Sequence, residues 1–210
     1  MVGNEDSVAR RARAVLGSAV VALVAACAGT ADFPPAPTAA ATPDYRYIIG
    51  AGDALNVFVW RNPEVSTTLT VRPDGRINSP LINELMAQGK TPGQLAKDIE
   101  AELAKYIIDP QVTVTVGTFV GPYSEQIRVV GAAARPQFLP YKQEMTLLDV
   151  MIIVGGLTDF ADGNKATIVR TSEGNKQYSV RLRDLIKRGD ASANVDMKPG
   201  DILIIPQGLF

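Results

Sequence analysis

Apolar residues occur in two textures along this chain, and the contrast constrains the fold more than any other feature. Residues 14–26 run without a charge and consist almost wholly of apolar or small side chains. After residue 27 the longest apolar runs are residues 150–154 and 202–205. A helix needs about 20 such residues to cross a bilayer, so neither later run can do so. Everything downstream must therefore be built from short strands and helices, each burying a single face.

Composition narrows the chemistry further. The chain of 210 residues has no His and one Cys. Ser-His-Asp and Cys-His nucleophilic constellations cannot form within it. Cys/His zinc sites and an intramolecular disulfide are excluded on the same grounds. Lys plus Arg number 21 against 22 Asp plus Glu, a formal charge of −1, which argues against nucleic acid as a partner.

Arg10, Arg11 and Arg13 precede the first apolar run, and Val24-Ala25-Ala26-Cys27 ends it. A positive stretch, a run of that length and small residues at its end are the parts of a secretion signal. The ending resembles the lipobox of bacterial lipoproteins. The resemblance implies a signal peptide over 1–26, cleavage before Cys27 and lipid attachment at Cys27. Ala28, where an Asp commonly retains such proteins in the inner membrane, implies the periplasmic face of the outer membrane. Residues 27–44 are rich in Pro, Ala and Thr without apolar period and read as anchor and tether. Stretched out, that segment reaches about 50 Å.

The first folded domain is read over 45–123. Leu55, Val57 and Val59 alternate with Asn56, Phe58 and Trp60, the period of a half-buried strand. A second strand follows at 67–71. Pro73-Asp74-Gly75-Arg76 has the chemistry of a hairpin turn, which predicts pairing with a return strand at 77–82. Thr91-Pro92-Gly93-Gln94 starts a helix with a cap, a proline at its first position and a capping-box Gln. Leu95, Ile99 and Leu103 form its apolar stripe, widened by Ala96 and Tyr106. Val112, Val114 and Val116 supply a last strand, giving β-β-β-α-β.

The second domain is read over 124–210, ending in a short tail. A strand at 126–131 has a hairpin partner at 138–141. Thr146 caps a helix with Leu147, Val150, Met151 and Val154 on its buried face, closed by Gly155-Gly156. Strands at 166–171 and 177–180, a short helix at 182–188, and Pro199-Gly200-Asp201 leading into 202–205 complete it. That last run is continuous and apolar, as expected of a strand covered on both faces. The fold class is α+β, two small mixed domains.

Two groups of motifs carry a resemblance. Gly50-Ala51-Gly52-Asp53, Pro73-Asp74-Gly75, Gly89-x-Thr91 and Asp109-Pro110-x-Val112 are similar in order and spacing to the polysaccharide biosynthesis/export domain of outer-membrane polysaccharide export proteins, the Wza-type family. Val130-Gly131, Thr146-Leu147-x-Asp149-Val150, Gly155-Gly156-Leu157 and Pro199-Gly200-Asp201 resemble one SLBB domain, a β-grasp-like module. The resemblance implies a non-catalytic conduit for capsular or extracellular polysaccharide, assembled as a homo-oligomeric ring. It implies an inner-membrane copolymerase or chain-length protein as partner. Longer members add a C-terminal membrane helix. This chain resembles a short type without one, working with a separate outer-membrane β-barrel. The alternative reading is a monomeric, lipid-anchored glycan-binding adaptor, which requires a platform of exposed aromatics.

Gly52, Asp53, Asp74, Gly75, Gly155, Gly156, Gly200 and Asp201 are read as structural turn residues. Asp53, Asp74 and Asp201 can be imagined as an acid/base set or a cation site, but each more simply satisfies its own turn. Arg181, Arg183, Lys187 and Arg188 read as a solvated helix face, with binding of an anionic glycan as the rival. Neither a catalytic role nor a metal or cofactor is assigned to any residue.

Overall fold

A computed structural model describes residues 33–39 and 44–208. The signal segment and Cys27, part of the tether, and Leu209 and Phe210 lie outside the described residues.

Strand β1 (Ala54–Val59) is central to a three-stranded antiparallel sheet, with β2 (Thr67–Thr70) on one side and β5 (Val112–Thr118) on the other. Leu55, Val57 and Val59 are buried, as their alternation predicts. Against that face packs α1 (Pro92–Leu103), whose Leu95, Ala96, Ile99 and Leu103 enter the same core. The Thr91–Gln94 capping box forms with both reciprocal bonds. Tyr106 does not widen the stripe. The helix stops at Leu103, so Tyr106 lies past its last turn and is 64% exposed.

The hairpin is differently paired from the sequence reading. Pro73-Asp74-Gly75 does turn, with Gly75 N–H donating to Arg72 O at 2.8 Å. Yet β3 (Arg76–Ser79) pairs with β4 (Ile82–Met86), an added strand, and not with β2. Gly75 O accepts from both Ala87 and Gln88 N–H, at 2.9 and 3.0 Å, which pins the end of β4 to the Asp74–Gly75 turn. β2 in turn is claimed by β1, and Ser66 Oγ accepts from Val59 N–H at 2.9 Å to close that connection. The chain reverses between β3 and β4 at Pro80-Leu81, with Leu81 at φ 66. A leucine in left-handed backbone carries no turn signature, so the sequence ran this hairpin together as one strand.

The second sheet has the order β7-β6-β10-β8-β9, from β6 (Gln126–Gly131), β7 (Phe138–Pro140), β8 (Ala166–Arg170), β9 (Lys176–Val180) and β10 (Ile202–Ile205). Among these five strands only β6 and β10 run parallel, and that pairing needs the long crossover that carries the helices. Helices α2 (Leu147–Ile153) and α3 (Leu182–Arg188) bury Leu147, Val150, Met151, Leu182 and Leu185 in one core with Leu203 and Ile205. β10 is therefore covered on one face only. Ile204, which alternates to the other face, is 38% exposed.

Part of the segment read as a tether is docked. Ser179 N–H donates to Pro34 O at 2.9 Å and Ala36 N–H to Ser179 O at 3.1 Å. Residues 34–36 thus extend the sheet beside β9, and Ala36 enters the second core. A sheet edge presents unpaired backbone donors and acceptors, and this extended segment, with only prolines missing a donor, satisfies some of them. Tyr45 also packs against the second core, stacked edge-on with Tyr141 at 4.9 Å.

Candidate functional site

The turn residues fall at three separate places. Asp53 is fully buried where β1 begins. One carboxylate oxygen accepts from Tyr47 OH at 2.7 Å and Gly50 N–H at 2.9 Å. The other accepts from Val120 N–H at 2.7 Å and Gly121 N–H at 2.9 Å. Asp53 therefore clamps the start of the first sheet to the segment joining β5 to β6. Gln126, buried at the first position of β6, donates to Val120 O and Gly121 O, both at 3.1 Å. A Cβ on Gly50 would stand 2.1 Å from the Gly121 carbonyl carbon, so the two backbones touch. Gly52, at φ 88, completes the turn that aims Asp53 inward.

Asp74 is exposed in its turn, accepting from Arg76 N–H at 3.2 Å and pairing with Arg72 at 2.8 Å. Gly75 follows at φ 79, with Gln88 packed against it.

Asp201 lies elsewhere, fully buried ahead of β10. Its Oδ2 accepts from Lys198 N–H at 2.8 Å and stands 3.8 Å from Arg170 Nε. Its Oδ1 and Arg170 Nε have no hydrogen-bond partner. Burial pushes the Asp201 carboxyl up to about 6, against the backbone bond and the nearby Arg170 and Lys198 charges. Glu173 sits at the mouth of this network. Hydrogen bonds from Lys198 and Tyr178 hold its carboxyl down at about 2. Gly200 is packed so that a Cβ would meet Ser124 O and Thr171 Oγ1, each at 2.6 Å.

Gly155 and Gly156, at φ 80 and 87, end α2, where Gly156 N–H donates to Met151 O at 2.8 Å. Gly156 O and Val154 O accept from Ala134 and Arg135 N–H at 3.0 Å, so this helix end seats the loop between β6 and β7. That is a helix terminus, not a phosphate cradle.

The three aspartates thus share no hydrogen-bond partner: Asp74 and Asp201 bond within their own turns, whereas Asp53 bonds both its own turn and the distant amides of residues 120 and 121. Among the described residues no cluster of three or more His, Cys, Asp or Glu is arranged to hold a metal. The basic helix face is largely consumed internally. Arg181 pairs with Asp184 and Asp190, Arg188 with Asp184, and Arg183 donates to Ala161 O at 2.9 Å.

Two features of the surface escaped the sequence reading. Phe58 and Trp60 stand exposed side by side on the open face of the first sheet. The alternation that buries Leu55, Val57 and Val59 already required this. The second domain presents apolar side chains on opposite sides: Leu148 and Ile152 on the outer face of α2, and Val130, Phe138 and Ile204 on the uncovered sheet face. No helix among the described residues is long and apolar enough to cross a membrane.

Comparison with known proteins adds to this. Residues 41–117 match the polysaccharide biosynthesis/export protein family, and residues 125–205 match the SLBB domain. The chain is similar to the EPS I polysaccharide export outer membrane protein EpsA of Ralstonia nicotianae, with 30% identity over 193 residues, 80% of this chain and 49% of the relative. It is 27% identical over 180 residues to the exopolysaccharide production protein ExoF of Rhizobium meliloti, covering 78% of this chain and 41% of that one. The capsule polysaccharide export outer membrane protein CtrA of Neisseria meningitidis serogroup A is 25% identical over 175 residues, 74% of this chain and 43% of its own length. The chain spans about half the length, or somewhat less, of the curated relatives it matches.

Proposed function

This chain belongs to the polysaccharide export protein family, carrying its export domain followed by an SLBB domain, and from that premise we propose that it exports capsular or extracellular polysaccharide as a non-catalytic conduit at the outer membrane. The observation that carries this reading is how the second domain distributes its apolar surface. One patch lies on the outer face of α2 and the other on the uncovered sheet face, with the core between them. Two different patches on opposite sides favour head-to-tail contacts, and such contacts close into a ring when the rotation between subunits permits. An isologous dimer would need only one self-complementary patch.

Buried Asp53 is consumed by four hydrogen bonds and Asp201 serves the turn at 198–201, so neither carboxylate is placed as an acid or base for glycan hydrolysis. Cys27 is the proposed lipid attachment point, holding the protein to the periplasmic face of the outer membrane. An inner-membrane copolymerase below and a separate β-barrel in the outer membrane are the proposed partners.

Mass measurement of the detergent-solubilised protein tests the ring. A closed oligomer is expected, converted to smaller species by Ile152→Asp or Ile204→Asp. A protein that is monomeric at every concentration, alone and with its envelope partners, counts against the ring and for an adaptor. Cys27→Ser is expected to accumulate precursor and abolish acyl labelling, and a normally processed and labelled variant would refute the anchor.

A further inference from the structure

The open face of the first sheet has a composition unlike the rest of the surface. Asn56 and Phe58 in β1, and Trp60 directly after its last residue, follow one another on the side away from the core. In the strand register Phe58 lies opposite Thr113, and Asn56 lies between Thr68 and Thr115. Directly paired residues project from the same side of a sheet, so these six make one continuous surface. All six are exposed. Phe58 and Trp60 have ring centroids 6.4 Å apart at 69°, forming a corner in place of a flat stack. The threonine hydroxyls and the Asn56 amide make no hydrogen bond within the described residues. None of the six positions carries a charge.

We propose that this face is a glycan-contact site, in which the Phe58–Trp60 corner packs against the C–H face of a sugar ring while Asn56, Thr68, Thr113 and Thr115 bond its hydroxyls. The inference rests on the export reading and names where the exported polymer touches the chain. The match is chemical. A sugar ring is apolar on its faces and ringed by hydroxyl donors and acceptors, and this surface offers an amphipathic aromatic pair bordered by groups that both donate and accept. An uncharged face is complementary to uncharged sugar surface and lacks the cations that a phosphate-rich ligand requires. A second copy of the chain is the weaker occupant. Two half-exposed rings offer on the order of 200 Å² of apolar surface, against about 800 Å² per partner in a stable interface. Weak, sparse contact is also what a conduit needs, because a polymer held tightly would not advance.

Trp60 is the only Trp in the chain, so tryptophan emission reports directly on this face. The experiment titrates the full-length protein in detergent with oligosaccharides cut from the surface polysaccharide of the cells that make it. Binding is followed by emission, by acrylamide quenching and by calorimetry. Bound oligosaccharide is expected to shift the emission to the blue and to protect Trp60 from quenching. Phe58→Ala, and the nearly isosteric Thr113→Val, are each expected to weaken binding several-fold, up to about tenfold. Calorimetric binding that leaves Trp60 quenching unchanged overturns the proposal, as does the absence of any binding. A blue shift that grows with protein concentration alone assigns the face to a second copy and overturns it too. Deleting the gene separates the two levels. Surface polysaccharide that persists without the protein defeats the export reading, whereas export that is lost on deletion but unaffected by Phe58→Ala and Thr113→Val defeats the contact site alone.

Discussion

Replacing Asp53 with Ala should damage the joint between the two sheets more than any other single polar substitution. The side chain is 0% exposed and accepts four hydrogen bonds. Truncation leaves the Gly50 and Gly121 amides buried without an acceptor, while Tyr47 and Val120 are partly exposed and recover some bonding from water. Each buried orphan costs about 1–3 kcal/mol, so the expected loss is about 4 kcal/mol. That is a large share of the roughly 5–15 kcal/mol by which a protein of this kind is stable. Asp53→Asn should cost about 3 kcal/mol, because its amide nitrogen turns two donors toward two donors. Tyr47→Phe removes one donor and leaves three, for a loss of about 1 kcal/mol. Urea unfolding followed by Trp60 emission and far-UV circular dichroism measures the series, and hydrogen exchange locates it. The amides of residues 50, 120 and 121 should exchange faster in Asp53→Ala while those of β10 change least. An Ala variant within 1 kcal/mol of the parent, or unchanged protection at 120 and 121, would refute the clamp.

Other substitutions probe the remaining turns. The Asp201 carboxyl is raised to about 6 by burial, so the folded state holds that proton more tightly than the unfolded chain does. Its stabilisation is complete below pH ~3.8 and is lost as pH rises through ~6, a decline on the order of 3 kcal/mol. Asp201→Asn keeps an acceptor for Lys198 N–H and should flatten melting temperature against pH in that window. Glu173, lowered to about 2, acts with the opposite sign, since its contribution is present above pH ~4.5 and disappears toward pH 2, so the two slopes separate in one titration. Gly50→Ala should prevent normal closure of the joint, because the new methyl meets backbone at 2.1 Å, whereas Gly156→Ala meets nothing within 4 Å and should cost only about 1 kcal/mol for its positive φ. Thermal melts of the two variants should differ widely. Ala36→Asp places a carboxylate in the second core and should free residues 34–38 from β9, seen as faster exchange of the Ala36 and Ser179 amides with little change in the β1 amides.

Most local structure was legible in the sequence because its causes are local. The Thr91–Gln94 and Thr146–Asp149 capping boxes form through contacts three residues apart. The alternation of β1 names its buried face without reference to any partner. Gly155-Gly156 closes α2 because left-handed backbone costs a glycine little. Strand pairing was less accessible. The Asp74–Gly75 turn was correctly placed, but which strands flank it was decided by β1 taking β2 and by Gly75 O capturing the end of β4. The exposed aromatic corner was implied by the pattern, yet its exposure depended on nothing else covering that face.

By itself the sequence determined two amphipathic α+β units, their caps and turns, and the absence of histidine-based chemistry. It also carried the family motifs, since these sit in turns whose conformation a few adjacent residues fix. Only the tertiary structure decided that Asp53 reaches residues 120 and 121 and that the prolines at 34 and 35 run beside β9. It also decided that Ile204 is left half in water and that Phe58 and Trp60 share one uncovered face with four unspent polar groups. These are contacts between segments far apart in the chain. Their energies depend on which surfaces meet, and periodicity states only which surfaces are available to meet.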